Sequence, residues 1–300
     1  MRVKLPALAW FGMLYAVAIL LALAVPPTAM TLHNLGVTVP IYKLIVFTVL
    51  IPYGLVWAMA FYAYDKLQAY QQTIAKTAEG KGYGSIVRGL RVLAWGLILS
   101  AILSMLLNLI AHFAPEFDGA QTVISRYVSL IVTGAAFILI QDGTYALVKT
   151  VGARWTNTGI RMMIIISTVI GTFFLKLVSD NQSGQTNPYH LSFPILLVTV
   201  IIPYICIWAI GITCAYDIRV YARKSHGVLY KRALDLFSGG LALVILASVA
   251  SQYITAAFMH QGGFSLGALL ILVYALLVVE AAGLGLVATG AKQLKRIEDV

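Results

Sequence analysis

Eight apolar runs follow one another along this chain, at roughly Ala7–Val25, Ile45–Tyr64, Val92–Ala111, Tyr127–Val148, Met162–Val178, Phe193–Tyr216, Leu236–Met259 and Leu266–Ala288. Each is about 17–24 residues long, close to the ~20 that a helix needs to cross a hydrocarbon core about 30 Å thick. Barrel strands need only about 9–11 residues, and a helix in lipid satisfies its backbone polar groups within the segment. The runs therefore predict an all-α polytopic membrane protein with eight transmembrane helices, its surroundings the lipid bilayer. Composition agrees. Of the 300 residues 60% are hydrophobic and 11% charged, with a mean hydropathy of +0.89, whereas soluble domains are about 25% charged. This excludes a disordered chain, a nucleic-acid-binding domain and a water-soluble enzyme.

The segments between the runs set the orientation. Of the 21 lysines and arginines, all but Lys43, Arg126 and Lys176 fall on the side that also holds both termini. Basic residues mark the cytoplasmic side, so both termini are expected there, in a plasma (inner) membrane. The net charge of +10 then reflects basic cytoplasmic loops and not a nucleic-acid partner. Arg2 and Lys4, followed by an apolar run and Ala22-Leu23-Ala24, also resemble a signal peptide. A membrane span is the preferred reading, because in a duplicated chain the fifth run needs a counterpart.

That duplication is visible in the sequence. Thr48-Val49, Ile51-Pro52-Tyr53, Trp57 and Tyr64-Asp65 recur as Thr199-Val200, Ile202-Pro203-Tyr204, Trp208 and Tyr216-Asp217, with one extra residue late in the second copy. Arg88, Leu90, Gly96-Leu97, Ser104 and Ile110 recur as Arg232, Leu234, Gly240-Leu241, Ser248 and Ile254. Four spans per copy return the chain to the starting side. The expected architecture is thus two parallel four-helix repeats, residues 1–150 and 151–300, related by an axis along the membrane normal. The basic linker Lys149–Ile160 joins them.

Polar residues inside spans are costly and mark candidate sites. Asp142 in the fourth run and Glu280 in the eighth are the two acids. Matching Gly152-Ala153-Arg154 to Gly290-Ala291-Lys292 sets Asp142 opposite Glu280, and a competing match through Leu147-Val148 and Leu286-Val287 moves them one residue apart. Two readings stand side by side: proton-coupling or ion-binding acids, or structural acids bonded to a neighbouring donor. Asn108 and Gln252 also align, and Ser104 with Asn108, like Ser248 with Gln252, shares one helix face at i, i+4 spacing. Such a stripe lines a solute path or bonds helices together. Pro52 and Pro203 are helix-interior prolines, each followed by a tyrosine, Tyr53 or Tyr204, whose hydroxyl can meet a polar group.

Several chemistries find no support. The five histidines lie in loops or at run ends, away from any haem position, and no run carries an arginine ladder for voltage sensing. Gly80-Lys81-Gly82-Tyr83-Gly84-Ser85 lacks the P-loop pattern. Cys206 and Cys214 share one apolar run and form no metal motif. Neither a cofactor, a metal nor a catalytic cluster is expected. The leading functional expectation is a small-solute or ion transporter or channel, proton-coupled through Asp142 and Glu280. The alternative is a non-transporting membrane scaffold or complex subunit. The solute, the oligomeric state and any protein partner are left open by the sequence.

Overall fold

Backbone groups in a stretch as apolar as Ala7–Ala24 have no side-chain partners and must bond within the segment, which a helix achieves. In the computed structural model, which describes residues 7–27, 37–76, 78–114, 120–149, 202–224, 227–261 and 266–298, all secondary structure among the described residues is α-helical. The helices are α1 (Ala7–Ala24), α2 (Val39–Thr73), α3 (Ala78–Phe113), α4 (Ala120–Lys149), α5 (Ile202–Lys224), α6 (Val228–Gln261) and α7 (Leu266–Glu298). The fifth apolar run, the basic linker and the start of the sixth run lie outside the described residues. Two helices, α2 and the Leu270–Ile297 stretch of α7, are long and apolar enough to cross a membrane.

At 1.5 Å per residue the 35 residues of α2 span about 52 Å. That exceeds the ~30 Å hydrocarbon thickness, and the surplus carries Lys66 at one end. Pro52 sits inside α2, where the helix continues through it. Next to it, the Tyr15 hydroxyl of α1 donates to the Leu50 carbonyl at 3.0 Å. The Tyr15 ring covers Gly54, where a side chain would collide with it. Phe11, Tyr15, Trp57 and Tyr53 continue as an aromatic chain between α1 and α2.

Helices α3 and α4 pack as one antiparallel hairpin and α6 and α7 as another. Glycine makes both possible. A Cβ on Gly89 would meet the Ala136 carbonyl at 2.8 Å and the Ile140 side chain at 2.7 Å. A Cβ on Gly240 would meet the Gly283 carbonyl at 2.5 Å and the Val287 nitrogen at 2.7 Å. Gly143 faces Gly82 and Ile86, and Gly290 faces Ala233 and Phe237. Backbones this close exchange dispersion contacts that larger residues would prevent, the usual basis of helix association in lipid.

These contacts recur in one register. Gly82, Tyr83, Ile86, Val87, Gly89, Leu90, Leu93 and Ala94 are buried in α3. In α6 the buried residues Ala233, Leu234, Phe237, Ser238, Gly240, Leu241, Val244 and Ile245 lie each 151 positions later. Pro52 and Pro203 have the same separation, as do the buried pairs Ala63 with Cys214, Leu67 with Ile218 and Tyr70 with Tyr221. Between α4 and α7 the shift is 147, pairing buried Ala136, Phe137, Ile140, Gln141, Gly143, Thr144 and Leu147 with Gly283, Leu284, Val287, Ala288, Gly290, Ala291 and Leu294.

At a separation of 151 Tyr64 stands with Ala215, and Tyr216-Asp217 falls one residue later, the offset that the sequence match itself carries. Arg88 and Arg232 are 144 positions apart, seven fewer than the separation at which these buried faces recur.

Candidate functional site

The chain halves meet along two seams, α2 against α7 and α4 against α5. On α7, Glu280 is 7% exposed, and it is near enough to act electrostatically on the Tyr53 hydroxyl of α2. Tyr53 precedes Lys66 by thirteen residues, about 20 Å along the helix. Lys66 lies over the Tyr62 ring, 5.0 Å from its centroid, and is level with Arg88. That level follows from two ring contacts between α2 and α3, Phe61 with Trp95 and Tyr70 with Tyr83. Glu280 and Tyr53 are thus deep, well away from the basic layer.

Asp142 is placed differently. Its carboxylate accepts from the Ser85 hydroxyl at 3.3 Å, three residues beyond Arg88 on the side of the helix ends. The group is half-buried, and it lies in the extension of the α3–α4 hairpin past the basic layer. In the packing register Asp142 corresponds to Thr289, and Glu280 corresponds to position 133. Positions 133 and 142 are nine residues apart, about two and a half turns, so they lie on opposite helix faces. At the separation of 147 the two acids are nine residues out of step. Ser104, Asn108, Ser248 and Gln252 are in helices α3 and α6, and Tyr204 is in α5, but their side chains are outside the described part of the structure.

The second seam holds polar residues that the sequence did not single out as a group. Gln141 and Thr144 of α4 are buried, at 3% and 1% exposure, and Cys214 of α5 is buried at 4%. The Thr144 hydroxyl donates to the Ile140 carbonyl at 2.8 Å and lies beside the Cys214 thiol. One turn on, Asp217 is half-buried, and burial raises its carboxyl to about 6 from the ordinary 3.8. The matching positions of the α2–α7 seam are Ala63, Ala288 and Ala291, all fully buried. Alanine thus stands where α4 and α5 carry Gln141, Thr144 and Cys214, while the α2–α7 contact has its own polar residues in Glu280 and Tyr53.

Above the polar seam four tyrosines converge from four helices. Tyr70 and Tyr83 are fully buried, Tyr221 is nearly so, and Tyr230 packs against the same core. The Tyr70 and Tyr83 rings meet edge to face at 5.0 Å. Burial pushes the Tyr83 hydroxyl well above its ordinary range, reinforced by Tyr230, Tyr70 and Tyr221 around it. Outside this cluster, Arg219 and Asp235 form an exposed ion pair at 3.9 Å, a geometry that contributes little stability. Among the described residues no group of histidine, cysteine and acidic side chains is arranged to hold a metal ion. Comparison with protein-family models, with curated proteins and with solved structures returns no match.

Proposed function

We propose that this chain is a multi-pass protein of the plasma (inner) membrane that moves a small solute or ion, with proton coupling at an intramembrane carboxylate. The reading takes eight spans with both termini cytoplasmic, arranged as two parallel four-helix repeats over residues 1–150 and 151–300. The recurring register of buried residues and glycine contacts supports the repeat, and the distribution of basic residues supports the orientation.

One observation carries the functional part. Glu280 of α7 is buried, and its charge reaches the hydroxyl of Tyr53 on α2, a residue about 20 Å along that helix from Lys66. An acid at that depth is expensive and by default functional. At a seam between repeats it is placed as coupling groups of repeat-built transporters are. Asp142, paired with Ser85 near the helix ends, serves in this reading as an outer proton-exchange group and not as a partner of Glu280.

The glycine-locked hairpins favour a second reading, a rigid scaffold or complex subunit in which the polar residues bond helices together. Reconstitution into liposomes containing a pH-sensitive dye separates the two. Transport predicts proton flux under a pH gradient that disappears in Glu280→Gln. A scaffold predicts the same background leak with and without the substitution.

A further inference from the structure

Positions seven apart in a helix are close to two turns apart and share one face. On α2 this puts Leu67, Ala60 and Tyr53 in one line, and on α7 Leu294, Val287 and Glu280. Both lines are closed toward the basic end: Leu67 is 0% exposed, Ala60 2%, Leu294 0% and Val287 1%. In the other direction the α2 line opens, with Tyr53 37% exposed, while Glu280 is still only 7% exposed. The two residues are also level. A Cβ on Gly285 would meet the Met59 side chain at 3.0 Å. Five residues back along α7 and six back along α2, the helices carry Glu280 and Tyr53, and the charge of Glu280 reaches the Tyr53 hydroxyl. A buried acid thus stands beside an accessible aromatic ring where the packed face begins to open.

Glu280 has no hydrogen-bond or ion-pair partner among the described residues. A buried carboxylate in that position needs a positive charge beside it or a proton on it. The surrounding groups decide which kind of cation fits. A hard metal cation takes about six or more oxygen ligands, and here one carboxylate and one hydroxyl stand among rings. Rings suit an ammonium group, whose charge lies over the π face. The Tyr53 ring is held in place from behind. It lies 5.9 Å from Trp57, Trp57 meets Tyr15 edge to face at 6.0 Å, and the Tyr15 hydroxyl donates to the Leu50 carbonyl at 3.0 Å. A ring fixed before binding loses little freedom when a ligand arrives.

We propose that Glu280 and Tyr53 form a binding site for a small organic cation carrying an ammonium group, and that this cation and a proton occupy the Glu280 carboxyl in turn. The site deepens the transport reading and rests on it for movement across the membrane. Taking turns at one carboxyl is what couples the two species, since each leaves when the other binds. Glu280 has few titratable neighbours among the described helices. On α2, Lys43 and Tyr62 are about 13–15 Å along the helix from Tyr53. On α6, the contacts of Gly283 with Gly240 and Val244 set Ile245 level with Glu280, and Asp235 and Tyr253 are about 12–15 Å along that helix. On α7 itself, Tyr274 is six residues away.

Equilibrium dialysis of radiolabelled tetraethylammonium against the full chain purified in detergent tests the site without requiring transport. Saturable binding is expected at mildly alkaline pH, weakening by about tenfold or more in mild acid as protons compete for the carboxyl. Each cation bound should release a proton into weakly buffered solution. Glu280→Gln should lose about tenfold or more in affinity, as removal of a buried charge partner does. Asp235→Asn, the same change at an exposed acid, should bind as the wild type does. Tyr53→Phe keeps the ring and should retain most of the affinity that Tyr53→Leu loses. Absent binding, or binding indifferent to both pH and Glu280→Gln, overturns the site. Equal affinity in Tyr53→Phe and Tyr53→Leu overturns the role of the ring. If Glu280→Gln does not yield monodisperse protein, proton release by the wild type decides alone. Liposome flux is read separately: binding without proton flux removes the transport reading and keeps the site, and flux without binding removes the site and keeps the reading.

Discussion

A methyl group on Gly240 would lie 2.5 Å from the carbonyl oxygen of Gly283, while the adjacent Gly239 has nothing within 4 Å of its own missing side chain. The neighbours therefore give opposite predictions for one substitution. Gly240→Ala must push the α6 and α7 backbones apart and should cost about 1–3 kcal/mol, as overpacking does. Gly239→Ala only restricts the unfolded chain and improves helix propensity, so it should be neutral or stabilising by roughly 0.5–1 kcal/mol. Thermal unfolding in detergent compares them, and equal destabilisation would contradict the packing described.

The depth difference between the acids separates their variants. Glu280→Gln should leave the folded protein at least as stable as wild type, because no charge then needs burying, and should remove proton flux. Asp142→Asn keeps the contact with Ser85 and lies beyond the basic layer, so it should alter the rate of flux without abolishing it. Dye-loaded liposomes distinguish the two outcomes, and a complete loss in Asp142→Asn with normal flux in Glu280→Gln would reverse the assignment.

Asp217 gives a pH dependence whose sign follows from its environment. Burial raises its carboxyl to about 6 in the folded protein, against an ordinary 3.8. The folded state therefore binds the proton more tightly than the unfolded one. Its contribution favours folding below about 3.8, is lost as pH rises through about 6, and changes no further above that. Asp217→Asn lacks this loss. Its melting temperature relative to wild type should rise between those two values and level off at neutral pH, and a flat difference would show that Asp217 titrates as an exposed carboxyl.

Cysteines introduced at Gly119, Ser183 and Gly262 should react with an impermeant reagent from outside intact cells, as the eight-span arrangement requires. Labelling at any of them only after permeabilisation would demand a different topology.

Much of the fold is legible in the chain because membrane insertion depends on length and apolarity, which are local properties. The runs at Ile45–Tyr64 and Leu266–Ala288 fall within α2 and α7, the helices long and apolar enough to cross a membrane. The internal similarity could also be seen, since Pro52 with Pro203 and Trp57 with Trp208 share the separation of 151 that the packing uses. Matches between common residues carry less information. Gly96 resembles Gly240 in sequence, but the glycine of α3 that makes the corresponding close contact is Gly89.

The candidate site divides along the same line. The presence of two acids among apolar residues, and of a tyrosine after each proline, was determined by the sequence. Which acid lies deep was not, because the distance of a residue from the end of its apolar run misleads when helices extend past the membrane. The hydrogen bond of Asp142 with Ser85, and the reach of the Glu280 charge to Tyr53, give their levels against the neighbouring helices. The polar seam was hidden for a related reason. Gln141, Thr144 and Cys214 come from helices more than fifty residues apart in the chain, and each alone is an ordinary residue of a membrane helix. Hydropathy along a chain records how each segment partitions into lipid, whereas the meeting of side chains depends on the rotation and depth of one helix against another. Those two quantities are settled by close contacts such as Gly89 against Ala136 and Gly240 against Gly283, and they exist only in the packed molecule.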